Sequence, residues 1–90
     1  MTTTVQAGAQ PPAAGLTGRP ARLLAEVRRQ RGRWNATRTV RLYRRITDLP
    51  DTRVRAVARG DLRDLAAWGY LTLHDQPNNR YYTLRKDVRL

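Results

Sequence analysis

The stretch Arg53–Leu71, RVRAVARGDLRDLAAWGYL, decides the fold because it carries a helix-period apolar stripe that runs towards a glycine. Four apolar residues form the stripe: Val54, Ala58, Leu62 and Leu65. Their spacing places all four side chains on one side of an α-helix. We therefore expect a helix here, with the stripe facing the core.

A row of arginines accompanies this stripe. Arg55, Arg59 and Arg63 recur at every fourth position, turned by roughly 100° around the helix from the stripe. One side of the helix would pack while another presents guanidinium groups. The alternative is a solvated basic face, which many helices carry.

The overall charge favours a polyanionic partner. The 90 residues include 18 Lys and Arg against 7 Asp and Glu, which gives a net charge of +11. DNA, RNA, an anionic membrane and an acidic protein are all compatible with this charge. No predicted helix pairs a wide apolar face with a Lys-rich one, which disfavours the membrane. Arginine suits bidentate contacts to phosphate and guanine, but GC-rich codon usage explains its abundance about equally well.

Several classes of protein are disfavoured by what the sequence lacks. Without cysteine there is no disulfide framework, thiolate zinc site or cysteine catalysis. No apolar run approaches the roughly 20 residues of a membrane span, and the opening residues lack the pattern of a secretion signal. We expect a cytoplasmic, nucleoid-associated protein.

Catalytic and metal-binding chemistry has little support. His74 is the only histidine, on the predicted outer side of a strand without ligands at metal-binding spacing. Asp61 and Asp64 are interpreted as charges on the helix surface that interact with nearby arginines. No nucleophile stands near a plausible base, and no Gly-rich phosphate loop follows a strand. We expect no enzyme, cofactor, metal or small-molecule ligand.

The chain divides into three parts. Residues 1–19 are rich in Thr, Ala, Gly, Gln and Pro, which predicts a disordered arm. Residues 20–84 are enough for one small domain. Residues 85–90 form a short charged tail.

Two helices are predicted before the quoted stretch. The first runs from Pro20 to about Arg31, where Gly32 stops it; its buried side consists of Leu23, Leu24 and Val27. The second runs from Ala36 to Ile46 behind the N-cap Asn35. Its inward residues are predicted to be Ala36, Val40, Tyr43 and Ile46, nearly opposite Arg38, Arg41 and Arg45. Trp34, a predicted core residue, fits a brief extended segment paired to a sheet edge.

The third helix is predicted over residues 52–68, with Asp51 or Thr52 as its cap and Gly69 as its left-handed terminator. Gly60 costs about 1 kcal/mol relative to alanine within a helix. A competing interpretation breaks the helix there and lets Asp61 cap a new one. We favour one helix, because the apolar stripe keeps its phase.

A β-hairpin should follow. Alternation predicts strands over residues 70–75 and 80–84, with inward residues Leu71, Leu73, Tyr82 and Leu84. Gln76–Asn79 forms the turn, with Pro77 at its second position and asparagine where positive φ is tolerated. Because Tyr81 and Tyr82 alternate, we expect only one of them to be buried.

This order of elements resembles the winged helix-turn-helix family over residues 21–84. The run formed by Arg59, Asp61, Leu62, Leu65, Gly69 and Leu71 is similar to the Arg-Asp-Leu-x-x-Leu-x-x-x-Gly-Leu-Leu pattern of DeoR-type and related bacterial regulators. Gly60 and Tyr70 depart from that pattern, where arginine and an aliphatic residue are usual. The expected class is mainly α with a small β-hairpin (α+β), namely three helices and a two- to three-stranded wing sheet.

The resemblance implies a docking mode. The third helix would lie in the major groove, the second would hold the backbone, and the wing at residues 75–80 would touch the minor groove or phosphates. The implied DNA-binding residues are Asn35, Thr37, Arg38, Thr52, Arg53, Arg55, Ala56, Arg59, Arg63, Asn79 and Arg80. Those from Thr52 to Arg59 would reach base edges, and Arg63 would reach phosphate.

The function expected from these features is sequence-specific binding of double-stranded DNA by a transcriptional regulator that acts by occupying its site. A homodimer, or copies side by side on DNA, would supply enough base contacts. One alternative is an architectural or recombination accessory protein with little base readout. Another is a winged-helix module that binds a protein or RNA, because fold does not dictate function.

Overall fold

A computed structural model of the chain describes residues 16–85, and residues 1–15 and 86–90 of the predicted arm and tail lie outside them. Its elements are helices α1 (Gly18–Gln30), α2 (Ala36–Ile46) and α3 (Asp51–Ala67), then strands β1 (Leu71–Gln76) and β2 (Asn79–Leu84). Three helices followed by an antiparallel hairpin confirm the α+β class. Over the described residues, every helix is too short or too polar to traverse a lipid bilayer.

Helix α1 begins two residues before the predicted start and ends one residue before the predicted end. The chain leaves the helix at Arg31 and Gly32, whose positive φ values of 59° and 81° do not continue a right-handed helix. The predicted buried residues Leu23, Leu24 and Val27 are confirmed. Arg19, which the sequence placed in the arm, belongs to the first turn of this helix.

Helix α2 has the predicted bounds and the predicted cap. The side-chain oxygen of Asn35 accepts a hydrogen bond from the backbone N–H of Arg38 at 2.8 Å. The buried side is wider than predicted and consists of Thr39, Val40, Leu42 and Tyr43. Thr39 tolerates burial because its hydroxyl donates to the carbonyl of Asn35 at 3.0 Å. Ile46, predicted as inward, is half-buried.

Helix α3 passes through Gly60 without a break, as the phase of the stripe predicted. All four stripe residues are buried, and Gly69 ends the helix with φ of 91°. The predicted capping by Asp51 or Thr52 is wrong. Pro50 occupies the N-cap position without a side-chain hydrogen bond, and Asp51 lies in the first turn, where its charge complements the helix dipole.

Gly60→Ala should raise the free energy of unfolding by about 0.5–1 kcal/mol, since alanine is the better helix former. A Cβ atom at Gly60 would meet only Arg63 Nη2, at an ordinary 3.8 Å. Urea denaturation measures the effect. Gly69→Ala is the matched control and should destabilise, because its φ is positive. A less stable Gly60→Ala variant would contradict the tolerance inferred at this position.

The hairpin turns through Pro77 and Asn78, whose φ of 59° confirms the predicted positive-φ position. Trp34 extends the sheet as predicted, because it exchanges two backbone hydrogen bonds of 2.8 Å with Tyr82. Trp34 is also a core residue, with 1% of its surface exposed.

Two expectations about the hairpin are wrong. Leu73 is 43% exposed, although the alternation placed it inward. Tyr81 and Tyr82 are both buried. Tyr81, on the other side of the strand, is covered by the stacked ring of His74 at a centroid distance of 4.7 Å and by the guanidinium of Arg33 at 4.7 Å. The alternation could not show this small second cluster, because Arg33 comes from a distant segment.

The interpretation of Asp61 as a helix-surface charge is wrong. Asp61 is 4% exposed. The Tyr43 hydroxyl donates to Asp61 Oδ2 at 2.7 Å, and Arg19 donates to both carboxylate oxygens, at 2.5 and 3.1 Å. We call Arg19, Tyr43 and Asp61 the buried triad. It links all three helices and satisfies a carboxylate that would otherwise be costly to bury.

The triad predicts a loss of stability at alkaline pH. Burial raises the pKa of Tyr43 above its ordinary 10.0, and the hydrogen bond to Asp61 raises it further. Above pH 10 the folded state therefore retains a proton that the unfolded state releases. The free energy of unfolding should fall with rising pH in that window, by up to about 1.4 kcal/mol per pH unit.

Tyr43→Phe should be less stable at pH 8, by about 1 kcal/mol, and should lose less stability between pH 10 and 11. Urea denaturation of both proteins across this range makes the comparison. Tyr82→Phe is the control for a buried tyrosine outside the triad. Parallel pH profiles of the wild type and Tyr43→Phe would contradict the role assigned to Tyr43.

Candidate nucleic-acid interface

A basic cavity of about 560 Å³ lies where α2, α3 and the hairpin meet. It brings together several residues that the sequence predicted as a site. Its lining consists of Asn35, Ala36, Thr37, Arg59, Leu62, Arg63, Arg80 and Tyr82. Three of these are arginines and none is acidic, so the cavity is suited to an anion.

The first turn of α2 forms one wall of the cavity. The first N–H groups of any helix lack intrahelical acceptors, and they carry partial positive charge. Asn35 satisfies one of these groups, the N–H of Arg38. Ala36 and Thr37 line the cavity, and Thr37 is exposed, so this wall offers a hydroxyl and helix-end dipoles to an anion.

Helix α3 forms the opposite wall. Arg59 and Arg63 are exposed and lie one helical turn apart, and the buried Leu62 lies between them in sequence. Within the described chain, the side chains of Arg53, Arg55, Arg59 and Arg63 make no hydrogen bond or ion pair. Their positive charges are therefore not neutralised locally.

The hairpin closes the cavity with Arg80 and Tyr82. Arg80 pairs with Asp75 directly across the two strands, with Nη2 at 3.0 Å from Oδ2. The hydrogen bond to Asp75 raises the pKa of Arg80 above its ordinary value. Both side chains are exposed, and water screens such a pair strongly. Asp75 orients Arg80 and weakens its field at the cavity.

Five of the predicted residues lie on exposed surface outside the cavity. Four belong to the N-terminal half of α3 and one to the hairpin: Thr52, Arg53, Arg55, Ala56 and Asn79. The α3 residues project from a convex surface next to the concave cavity.

Arg38 lies apart from the other predicted residues. Its guanidinium stacks over the Trp34 ring at 3.9 Å from the centroid and donates to the Arg33 carbonyl and the Gln30 amide oxygen. It belongs to a second, shallower groove of about 360 Å³, lined by Gln30, Trp34, Arg38, Arg41, Leu42 and Arg45. These contacts give Arg38 a structural role in covering Trp34.

The prediction missed three residues of the cavity lining: Ala36, Leu62 and Tyr82. Ala36 could have been found, because it lies between two predicted residues at the start of α2. Leu62 and Tyr82 were assigned to the core by their periodicity. No sequence pattern indicates that a core side chain also reaches a surface cavity.

Several other polar contacts of residues 16–85 lie outside the cavity. This segment contains no cluster of three or more His, Cys, Asp or Glu that could hold a metal ion. His74 hydrogen-bonds Thr83 at 2.9 Å in addition to its stack on Tyr81. Glu26 pairs with Arg29 at 2.6 Å, and Asp51 with Arg44 at 3.6 Å. The cavity and the adjacent surface of α3 therefore remain the candidate site.

Comparison of the chain with protein-family models, with curated proteins and with solved structures finds no match.

Proposed function

We propose that the protein binds double-stranded DNA sequence-specifically, as a winged helix-turn-helix transcriptional regulator with α3 in the major groove. The observation that carries the proposal is the set of four exposed arginines on α3 whose side chains make no local hydrogen bond or ion pair, two of them in a cavity that adds Arg80. Elsewhere, arginines such as Arg19, Arg29 and Arg44 are paired with carboxylates. Other exposed arginines, such as Arg28, Arg41 and Arg45, also make no ion pair within residues 16–85, but those of α3 lie on or next to the basic cavity.

The dimensions of α3 suit this docking mode. Its 17 residues span about 26 Å, and a major groove about 12 Å wide accepts a helix. Small residues recur at spacings of four along α3: the exposed Thr52 and Ala56 and the half-buried Gly60. They would let the helix backbone approach base edges, while the flanking arginines reach guanine or phosphate.

The hairpin supports the same orientation. Arg80 and the exposed Asn79 lie beside the turn, where contact with the adjacent minor groove or backbone would follow insertion of α3. The proposed protein would act by occupying its site, without catalysis, as a homodimer or as adjacent copies in the nucleoid. One module of this size makes few base contacts.

The experiment is selection of the full chain on a random duplex library near physiological salt, followed by affinity measurements from 50 to 200 mM salt. We expect one recovered motif. We also expect a loss of about 10³-fold or more in affinity across the salt range if six or more phosphates are contacted.

Matched single-stranded DNA and duplex RNA serve as competitors and should bind more weakly. An affinity for duplex DNA that does not change between 50 and 200 mM salt would contradict the proposal. Recovery of tight but motif-free binding would replace it with an architectural role, and preference for RNA would replace it with an RNA-binding one.

A further inference from the structure

We infer that the basic cavity is a clamp for one phosphodiester of the bound duplex, held by Arg59, Arg63 and Arg80. The inference rests on the proposed function and divides its arginines between two tasks. The clamp residues would position the protein, and Arg53 and Arg55 would remain to read bases. This moves Arg59 from the base-reading set in which the sequence had placed it.

The shape of the surface indicates which part of a duplex the cavity would contact. The sugar-phosphate backbone is the projecting ridge of a duplex, whereas base edges form the floor of its grooves. A concave cavity therefore matches the backbone, and a convex helix surface matches the groove. Arg59 and Arg63 line the concave part, and Arg53 and Arg55 lie outside it.

The hydrogen-bond donors of the cavity suit a phosphate group. Guanidinium groups form bidentate, charge-assisted hydrogen bonds with phosphate oxygens. Two of the three come from α3 and the third from β2, so a phosphate between them would be approached from two sides. Thr37 adds a neutral hydroxyl to the lining, and Tyr82 adds a ring that a deoxyribose could contact.

The volume agrees with this occupant. A cavity of about 560 Å³ exceeds what a single anion fills and leaves room for the sugars on both sides of a phosphate. It is partly open to solvent, and its α3 residues Arg59 and Arg63 are exposed, so a strand of a duplex could reach them.

Substitution of Asp75 tests the clamp without changing any of its arginines. The Asp75 carboxylate holds Arg80 at 3.0 Å and would repel an incoming phosphate. Asp75→Asn keeps the size of the side chain, removes the negative charge and frees Arg80. We expect this variant to bind duplex DNA more tightly than the wild type, by several-fold, with the same sequence preference.

The main test combines charge removal with neutral phosphates. The wild type and the variant Arg59→Gln, Arg63→Gln, Arg80→Gln are measured on the selected duplex and on versions that carry one methylphosphonate at each backbone position in turn. In the wild type, one position or two adjacent positions should weaken binding at least 10-fold. In the triple variant that local effect should disappear, and the slope of log affinity against log salt should be shallower by about 0.9.

Controls separate the clamp from general charge. Arg28→Gln changes an exposed arginine of α1, and Arg55→Gln changes an exposed arginine of α3 outside the cavity; both should retain the methylphosphonate effect of the wild type. Circular dichroism establishes that all variants fold, as expected for exposed side chains. A triple variant with the wild-type methylphosphonate profile would overturn the clamp.

Two further outcomes are decisive. Saturable binding of inorganic phosphate to the cavity, seen by NMR, that the selected duplex does not displace would assign the cavity to a free anion and overturn the duplex clamp. Failure of the wild type to bind any duplex at 50 mM salt would overturn the proposed function itself. Duplex binding with an unaltered triple variant overturns the clamp alone.

Discussion

Asp61→Ala is expected to lower the free energy of unfolding by about 3 kcal/mol, near the lower end of the cost of breaking a buried ion pair. The carboxylate is 4% exposed and accepts hydrogen bonds from two helices. Its removal leaves the Tyr43 hydroxyl buried without an acceptor, which alone costs about 1–3 kcal/mol. Arg19 is 39% exposed and can turn towards water, which moderates the loss.

Equilibrium urea denaturation at pH 7 measures this effect. Asp64→Ala is the matched control, because Asp64 is the next acidic residue of α3 and makes no side-chain hydrogen bond within residues 16–85. It should change stability by less than about 0.5 kcal/mol. Asp61→Asn keeps an acceptor for Tyr43 and should fall between the two. Equal stabilities for Asp61→Ala and Asp64→Ala would refute the structural role of the triad.

Replacement of both Arg53 and Arg55 by alanine is expected to cause a large loss of sequence specificity. Under the proposed function, each bidentate contact to a guanine contributes about 1–3 kcal/mol of discrimination. The ratio of affinities for the selected duplex and a scrambled duplex should therefore fall about 10-fold or more. Both side chains are exposed, so the fold should be retained.

Competition binding at fixed salt gives this ratio for the wild type and the double variant. Arg28→Ala controls for the loss of an exposed arginine elsewhere and should leave the ratio unchanged. If the double variant loses affinity equally for both duplexes, Arg53 and Arg55 contact phosphates instead, and base reading must come from other residues.

Local physics made much of the fold predictable. The period of Val54, Ala58, Leu62 and Leu65 fixed the buried side of α3, and Gly69 fixed its end. Asn35 fixed the start of α2 through one local hydrogen bond. Asn78 fixed the turn because few residues adopt its positive φ without strain. Each of these signals acts over a few residues.

Contacts between distant segments limited the rest of the fold prediction. Asp61 lies three residues after Ala58 and four before Leu65, so its position on the buried side was readable. Its partners Arg19 and Tyr43 come from other helices, and no local pattern pairs them with it. The prediction for Tyr81 failed for a similar reason, because the covering Arg33 lies in a distant loop.

The candidate site was predictable only in outline. Alternation and helical period identified which arginines are exposed, including Arg59, Arg63 and Arg80. They could not show that these three share one cavity, since that depends on the angle between α3 and the hairpin. They also could not show that Arg38 folds over Trp34, because an arginine at the exposed start of a helix is equally free to point elsewhere.

The pairing of Trp34 with Tyr82 has a consequence for recognition. Two backbone hydrogen bonds between Trp34 and Tyr82 join the hairpin to the segment that leads into α2. Within that segment, the Trp34 indole donates to the Arg31 carbonyl at 3.1 Å, which fixes the orientation of the ring. The conformational entropy of orienting the hairpin is thus lost during folding rather than on association. A ligand that spans α2 and the hairpin would meet a preorganised surface, and more of its contact energy would appear as affinity.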